Sequence, residues 1–409
     1  MSSSSKVREA LAPGAEAKSE VGSAYTVAIA CDDPDLGGAI ARRWLEAPSG
    51  RVIIVAPDAS AARAQASALT AADGDDRVEA RSADAARAEA IAEAVRGADW
   101  LVIALDDLDR LPPIIEGALR AGVSCVDLGT TPGRDAIWAK YRDRFVEAGK
   151  IAITEAGVQP GLPGVLLRSL TRDRPAILRL DLATALRPRC PPDAPMPRST
   201  VGLVRRFVVR PTLYASGYPA LDLQGLFFPY RYFWFHAPFG KQTVSPAGPL
   251  PEVAAVAAEN PHIRRIRCLV GGLDATTMWV GLPLIYPLLV AFGRWLRPLL
   301  AKFLYHGFMR RFSTSLHGVA LRGEATGHVD ARASVEIQHD DEHALAADVV
   351  STLLHRREGA GPEPGVHLMA YAVGDPDAFL ERLETLGARL HRGGHRATDR
   401  SSAALPASA

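Results

Sequence analysis

Short apolar runs alternate with stretches rich in alanine and arginine between residues 25 and 154. The runs TVAIA, RVIIVA and WLVIAL have the near-continuous hydrophobicity that is typical of parallel strands covered on both faces. The stretches between them, such as DAARAEAIAEAVRGA, consist mainly of residues that favour helices. This alternation predicts an α/β fold whose core is a Rossmann-like, doubly wound parallel sheet.

The pattern changes after residue 160, and the change predicts a second domain inserted into the first. Residues 187–198 contain too many prolines for a regular element, whereas residues 315–339 alternate between apolar and polar positions as strands do. Residues 342–387 return to a helix–strand–helix pattern. We therefore expect an inserted α/β (α+β) domain, followed by a return to the first sheet.

The two ends of the chain differ in composition from the rest. Residues 1–24 and 391–409 are polar, rich in serine and alanine, and are expected to be disordered tails. Between them we expect a Rossmann-like dinucleotide-binding domain at 25–160, an inserted domain that faces substrate or lipid at 161–340, and elements that return to the first domain at 341–390. The N-terminal stretch lacks the apolar core of a secretory signal, which favours a cytoplasmic location.

Charge and cysteine content argue against two classes of function. The chain of 409 residues has a formal net charge of +1, so no general attraction to nucleic acid is expected. Its four cysteines are widely separated, and the sequence has no cysteine or histidine cluster with the spacing of zinc ligands. We therefore expect neither a nucleic-acid partner nor a metal site.

The segment CDDPDLGG, residues 31–38, joins the first predicted strand to the first predicted helix. A dinucleotide-binding turn normally has glycines there, because the backbone approaches a diphosphate closely. Here Cys31 and Pro34 occupy two of the glycine positions. Proline lacks an N–H donor, and the aspartates of the turn would repel a diphosphate. The aspartates are also consistent with capping of an empty helix end, so both interpretations stay open.

A further acidic residue, Asp58, ends the second predicted strand about 20 residues after the turn. An acidic side chain at that position can bind the ribose hydroxyls of NAD. Aspartate also commonly begins helices, and the segment DASAARAQA is typical of a helix start. The residue thus has a cofactor-binding and a structural interpretation.

Three segments carry a family resemblance: GADWLVIALDDLDRLPPIIEGALRAGVSCVDLGTTPG at 97–133, EAGVQPGLPGVLLRSL at 155–170, and PGVHLMAYAVGDPDAFLERLETLG at 364–387. The first resembles the second half of the nucleotide-binding domain of saccharopine dehydrogenase-like proteins. The second is similar to a Gly-x-x-Pro-Gly-Leu stretch of that family, and the third to the closing strand and helix of one bacterial branch. The resemblance implies a Rossmann-type domain with an inserted α/β domain, and NAD(P)-dependent oxidoreduction. The family's first glycine turn is not matched, and Ile103 stands where the family has asparagine.

On this resemblance the cofactor is NAD or NADP. The first helix start would face the diphosphate, the end of the second strand would face the ribose, and the turns after residues 105 and 157 would flank the nicotinamide. The cofactor-binding candidates are therefore Gly37, Gly38, Asp58, Ala104, Leu105, Gly157, Pro160 and Gly161. No catalytic residue is assigned, because Tyr230, Tyr232 and the scattered histidines match no acid–base or nucleophile pattern.

The inserted domain contains the longest apolar run, residues 278–293, which is followed by a basic and aromatic segment. The run is shorter than the about 20 residues that span a bilayer, and two prolines interrupt it. One interpretation is a core helix followed by a solvated amphipathic helix. The other is a surface that rests on a membrane or lines an apolar pocket. The aromatic cluster at 226–239 is compatible with an apolar substrate site, although aromatic residues also fill cores.

Together these features predict a NAD(P)-dependent oxidoreductase of the saccharopine dehydrogenase-like type that acts on a hydrophobic, lipid- or isoprenoid-like substrate by hydride transfer. Peripheral membrane contact through residues 278–311 and a homodimer are compatible with this prediction. The alternative is a Rossmann scaffold that has lost the cofactor and binds lipid, or assists an enzyme, without catalysis.

Overall fold

The computed structural model of the chain describes residues 25–73, 76–172, 174, 176–187, 212–222, 230–281, 284, 299, 302–303, 305–306, 316–328, 331–355 and 361–395. Most of the two predicted tails, most of the predicted loop at 187–198 and most of the segment 278–311 lie outside these residues. The expectations for those parts stay predictions.

The first sheet forms the predicted doubly wound core. Within the described residues its strands are β1 (Thr26–Cys31), β2 (Arg51–Ala56), β3 (Val78–Ser82), β4 (Trp100–Ala104), β5 (Ser124–Asp127), β6 (Ile151–Thr154) and β15 (Gly365–Leu368). All pairs are parallel, in the order β15-β6-β5-β4-β1-β2-β3, so the direction of strand addition reverses between β1 and β4. The predicted fold class is therefore confirmed.

Helices cover this sheet, and their ends follow local capping rules. They are α1 (Pro34–Leu45), α2 (Ala59–Asp73), α3 (Ala88–Ala94), α4 (Leu111–Ala121), α5 (Arg134–Ala139), α6 (Arg142–Glu147) and α7 (Leu162–Thr171). Helix α1 begins where Asp33 accepts hydrogen bonds from two backbone N–H groups. Helix α4 ends where Gly122 takes the left-handed conformation, with a φ of 68°.

The second sheet belongs mainly to the inserted segment. Its described strands are β7 (Ile177–Arg187), β8 (Thr212–Ala215), β9 (Tyr218–Leu221), β10 (Arg231–Trp234), β11 (Lys241–Pro246), β12 (Arg265–Gly271), β13 (Gly318–Gly327), β14 (Arg332–His339) and β16 (Arg389–His395). The main path runs β10-β11-β12-β7-β13-β14-β16, while β8 pairs with β12 and β9 with β8. Only the pair of β7 and β12 is parallel among these described pairs, so the sheet is mixed. Helix α8 (Pro251–Glu259) precedes β12, and a π-helical turn at Thr277–Gly281 follows it.

The C-terminal elements return to both sheets. Helices α9 (Glu342–Leu354), α10 (Met369–Ala372) and α11 (Pro376–Thr385) accompany strands β15 and β16. Strand β15 joins the first sheet beside β6, in line with the predicted return. Strand β16 pairs instead with β14 and runs to His395, past the predicted start of the tail at residue 391. That boundary is corrected, because pairing with β14 satisfies the backbone groups of these polar residues.

Helix α7 joins the two sheets in one core. It packs on β13 and β14 of the second sheet and on helices α8, α10 and α11. Its apolar side chains are fully buried: Leu162, Val165, Leu166, Leu167 and Leu170. Nearly all of α7 is buried, and each of these apolar side chains contributes about 1.5–3 kcal/mol when buried. The same buried cluster includes Val126 and Ile153 of the first sheet and Leu321 of the second, so the two sheets share one core.

The described parts of the segment 278–311 expose large apolar side chains. Between 47% and 61% of the surface is accessible at Trp279, Val280, Leu284, Leu299 and Phe303. In the part of the chain that the structure covers, none of the helices combines the length and hydropathy that crossing a bilayer requires.

Replacing Leu166 by alanine should lower the free energy of unfolding by about 2–5 kcal/mol, because the closely packed core around α7 leaves a cavity there. Urea denaturation followed by circular dichroism measures the change. Leu221 is 47% exposed on β9 and gives the matched control, since Leu221→Ala should change the free energy of unfolding by only about 0.5 kcal/mol. Equal losses in the two variants would contradict the role assigned to α7.

Candidate functional site

A cavity of about 530 Å³ lies where the carboxyl ends of β5 and β6 meet the second sheet. One wall comes from the first sheet and the loops after it, including Asp127, Thr154 and Glu155. The opposite wall comes from β8, β9, β12 and helix α8 with the loop before it. Ligands of doubly wound folds bind outside the carboxyl ends of the parallel strands, so this cavity is in the place where a ligand is expected.

Two glutamates from different parts of the chain meet at this cavity. Glu155 follows β6 and lines the cavity, while Glu252 lies on α8 and has no exposed surface. The backbone N–H of Glu252 donates to Oε2 of Glu155 at 3.1 Å, and the N–H of Gly161 donates to Oε1 of Glu252 at 3.1 Å. Glu155 has a φ of 53°, a conformation that costs a residue with a side chain about 1–2 kcal/mol. The surrounding structure therefore holds this side chain in place.

The proximity of the two buried carboxyl groups favours a proton on Glu155. Burial, together with the neighbouring Glu252, raises the pKa of Glu155 well above its usual range. Oε2 of Glu252 is buried and accepts no hydrogen bond from an N–H group, whereas the Glu155 carboxyl is placed to hydrogen-bond with Glu252. The arrangement is stable when Glu155 carries the proton and donates it to Glu252. At neutral pH the cavity wall therefore presents an uncharged carboxyl group.

A tight turn after β6 positions this pair. The N–H of Gly157 donates to the carbonyl of Pro160, and Gly161 has a φ of 126°. A side chain at Gly161 would place its Cβ only 2.3 Å from the carbonyl oxygen of Glu155. Glycine is required there because both the conformation and the space exclude other residues.

A buried ion pair fixes a neighbouring part of the wall that contains Glu155. Asp127 accepts hydrogen bonds from Arg134 Nε at 2.9 Å and Nη2 at 2.6 Å, and from Trp138 Nε1 at 2.6 Å. The third guanidinium nitrogen of Arg134 donates to the carbonyl of Leu105 at 2.7 Å. A Cβ at Gly129 would lie 2.1 Å from the guanidinium carbon, so only glycine leaves room for this arginine. Arg134 is therefore engaged within the wall.

The first turn holds a carboxylate at the helix end. Oδ1 of Asp33 accepts hydrogen bonds from the N–H groups of Asp35 at 3.0 Å and Leu36 at 3.4 Å, and Pro34 has no N–H to offer. Oδ2 of Asp33 lies 3.8 Å from Nε2 of His343. A diphosphate at this helix end would need the N–H groups that already donate to Asp33.

The structure divides the predicted cofactor residues into two groups. Pro160 lines the cavity, and Gly157, Gly161 and Leu105 support its walls. Ala104 lies beside them at the end of β4, where its carbonyl accepts the N–H of Asp32 at 3.2 Å.

The second group consists of Gly37, Gly38 and Asp58, which lie near the first turn and the end of β2. A Cβ at Gly37 would lie 3.2 Å from Cβ of Cys31, so this glycine allows close packing of α1 on β1. A Cβ at Gly38 would lie 3.3 Å from the guanidinium of Arg42. Asp58 caps α2 by accepting from Ser60 Oγ at 2.5 Å and from the N–H of Ala61 at 2.8 Å. The Ser60 hydroxyl and this backbone bond lower the pKa of the Asp58 carboxyl.

The other candidates from the sequence lie elsewhere. Tyr230 packs against Trp279 in a tilted arrangement with ring centroids 4.7 Å apart, and Tyr232 is exposed beneath the Lys241 ammonium. No histidine is among the described residues that line the cavity. The described aromatic residues at 233, 235 and 239 pack in a small core cluster on the second sheet, so they fill a core.

The sequence analysis does not predict that Glu155 and Glu252 come together. Glu155 directly follows a predicted strand in a segment that carries the family resemblance, so its place at a strand end was a usable signal. Glu252 lies 97 residues further along the chain in an ordinary helix start, and no spacing links the two. Only the fold brings them together.

A scan against protein-family models found no match for this chain, and no curated protein matched its sequence. Among solved structures, apo saccharopine dehydrogenase (L-Glu forming) from Saccharomyces cerevisiae has a TM-score of 0.63 at 13% identity, covering 91% of this chain and 100% of that chain. An oxidoreductase from Agrobacterium radiobacter in complex with NAD+, L-tartaric acid and magnesium has a TM-score of 0.41 at 9% identity, covering 88% and 94%. Biliverdin reductase from Synechocystis, in complex with biliverdin and NADP+, has a TM-score of 0.38 at 12% identity, covering 88% and 96%. The first comparison shows that the chain has the fold of saccharopine dehydrogenase, which confirms the fold expected from the resemblance.

The raised pKa of Glu155 predicts how stability depends on pH. Because the unfolded chain releases this proton near the usual carboxyl pKa of 4.5 and the folded chain keeps it, stability falls as pH rises above that value. Glu155→Gln removes this loss, so the stability of the variant relative to the parent should rise between pH 5 and pH 8, by up to about 1.4 kcal/mol per pH unit. Urea denaturation across this range measures it.

Glu116→Gln is the control for this measurement. The guanidinium of Arg144 lowers the pKa of the Glu116 carboxyl, so its contribution is complete above pH 5 and should not change up to pH 8. A constant difference between Glu155→Gln and the parent over the same range would contradict a proton on Glu155.

Proposed function

We propose that this chain is a NAD(P)-dependent oxidoreductase whose substrate occupies the cavity beside Glu155. The observation that carries the proposal is the position of the cavity, at the carboxyl ends of β5 and β6 in a doubly wound parallel sheet. Folds of this type bind dinucleotides and their substrates along that edge. The fold shared with a saccharopine dehydrogenase supports the same activity.

The two ends of this edge fit a dinucleotide unequally. Near the cavity, the bond of Arg134 to the Leu105 carbonyl and the turn from Gly157 to Gly161 hold the edge of the sheet in place. At α1, a diphosphate fits only after the Asp33 carboxylate has left the N–H groups that it caps. The side chain of Asp33 is 26% exposed, so rotation toward solvent is sterically open to it. Cofactor binding therefore competes with this cap.

The chain's own residues position the ligand and hold a proton. A nicotinamide, when bound, supplies or accepts a hydride. Glu155 places an uncharged carboxyl at the cavity wall, where it can exchange a hydrogen bond or a proton with a ligand oxygen. The buried pair of Asp127 and Arg134 keeps the loop after β5 fixed.

The lining favours a hydrophobic substrate. Apolar groups from the second domain form most of the wall that faces Glu155: Pro219, Ala247, Pro249, Leu250, Pro251 and Val270. A predominantly apolar lining with a few polar groups is typical of small-molecule sites, in which the polar groups fix orientation. The substrate class is therefore an apolar molecule with at least one polar function.

The cap at α1 favours a second candidate, a binding protein without cofactor. Asp33 satisfies the helix end by itself, as a helix without a ligand requires. In that case the cavity binds its ligand without redox chemistry.

Titration of the protein with NADPH and NADH, followed by nicotinamide fluorescence, distinguishes the two candidates. We expect saturable binding in the parent, and binding about fivefold to tenfold tighter in Asp33→Ser, because the variant removes a negative charge that competes with the diphosphate. Asp375→Ser is the matched control, since Asp375 caps α11 in the same Asp-Pro-Asp context. That variant should bind as the parent does. Lack of saturable binding in both the parent and Asp33→Ser would exclude the oxidoreductase and support the binding protein without cofactor.

We also propose that residues 278–311 contact a membrane surface. The exposed apolar side chains at the described positions of this segment support the proposal, together with the basic residues of its sequence. Trp279→Ser combined with Phe303→Ser should reduce the fraction of protein that floats with anionic lipid vesicles by about twofold or more. Trp234→Ser is the control, since Trp234 is 63% exposed on β10, outside this segment. Equal flotation of the variants and the parent would rule out this contact.

A further inference from the structure

The described residues that line the cavity offer no cation to an anionic ligand. Arg134 is the one cation among the described residues that line the cavity, and its guanidinium bonds Asp127 and the Leu105 carbonyl. An anionic ligand would therefore find no available cation among these residues. It would also face the exposed carboxylate of Asp135 at the cavity margin. Desolvation of an unpaired anion in such a site is unfavourable.

The glutamate pair offers a donor and an acceptor in place of a charge. Glu155 forms the cavity wall, while Glu252 is buried behind it and accepts the N–H of Gly161. A ligand carbonyl can replace Glu252 as the acceptor of the Glu155 hydroxyl, as carbonyl groups accept from carboxylic acids kept neutral in apolar sites. A ligand hydroxyl can donate to a Glu155 oxygen while the proton remains between the two carboxyls. The same wall thus accommodates both an alcohol and a ketone.

From this geometry we propose that the cavity selects uncharged apolar alcohols and ketones, recognised by the carboxyl pair of Glu155 and Glu252, and rejects carboxylates of the same length. The proposal deepens the proposed function, on which it rests for treating the ligand as a substrate. A ketone and its alcohol are the oxidised and the reduced form of one compound, so both would bind at the same place.

The groups around Glu155 favour the uncharged form of its carboxyl. They are Glu252 on α8, Asp135 on α5 and Tyr214 on β8, with Cys268 on β12 beside Glu252. Burial raises the pKa of Tyr214 and the pKa of Cys268, so both are uncharged at neutral pH. The groups packed against the pair therefore supply no positive charge that would ionise Glu155.

Binding of eight-carbon probes to the full chain without cofactor tests the proposal. The probes are 2-octanone, 2-octanol and octanoate, and the readout is isothermal titration calorimetry at pH 7. We expect 2-octanone and 2-octanol to bind at least about tenfold more tightly than octanoate, which corresponds to one buried hydrogen bond against one unpaired charge. Tighter binding of octanoate, or no binding of the two neutral probes, would overturn it.

Variants separate hydrogen bonding from the general effect of an apolar cavity. Glu155→Gln keeps a neutral donor and acceptor and should bind 2-octanone within about threefold of the parent, whereas Glu155→Leu should lose about tenfold. Asp143→Asn changes an exposed carboxylate on α6, outside the cavity lining, and should leave 2-octanone binding unchanged. Equal binding by Glu155→Leu and the parent contradicts recognition by this carboxyl.

A second measurement does not depend on how the leucine variant folds. The infrared spectrum of the parent at pH 7 should show the C=O stretch of a protonated carboxyl, which Glu155→Gln lacks and which shifts when 2-octanone binds. Absence of this band in the parent overturns the proposal. Because these experiments use no nicotinamide, failure of cofactor binding leaves their outcome unchanged, and the two proposals can fail separately.

Discussion

Glu155, which holds a proton at neutral pH, connects the two sheets at the cavity through its contact with Glu252. Glu155 extends from the first sheet and Glu252 from a helix that packs with the second domain, and the backbone hydrogen bonds between their segments run in both directions. If the proton were lost, two buried carboxylates would repel each other there, and an uncompensated buried charge costs about 3–5 kcal/mol. The contact between the domains and the chemistry of the cavity therefore depend on the same group.

The turn before α1 shows why its sequence alone is ambiguous. Asp33-Pro34-Asp35 and Asp375-Pro376-Asp377 begin two helices in the same way, with the first aspartate accepting two N–H groups and proline at the start of the helix. Capping explains both segments without a ligand. The first copy differs in its position, because it lies where the strand order reverses between β1 and β4. Position in the fold, and not the residues of the turn, is the argument for a dinucleotide.

The fold was more predictable than the site, for physical reasons. Strands such as β1, β2 and β4 are buried on both faces, and their apolar runs record that burial directly in the sequence. Strand β16 is polar, with two glycines, and depends on backbone pairing with β14, which leaves no hydrophobic pattern to detect. The glutamate pair depends on contact between segments 97 residues apart. Such a contact follows from tertiary packing and has no local signal.

Internal partners already balance the charges at both ends of the proposed site. The helix N–H groups compensate Asp33, Arg134 compensates Asp127, and a proton compensates Glu155. A charged ligand must displace one of these partners, and the cost depends on burial. Asp33 is partly exposed and can turn to water, whereas the side chains of Asp127 and Arg134 are only 2% and 7% exposed and would leave an unpaired buried charge. A diphosphate can therefore compete at α1, while the cavity favours an uncharged group.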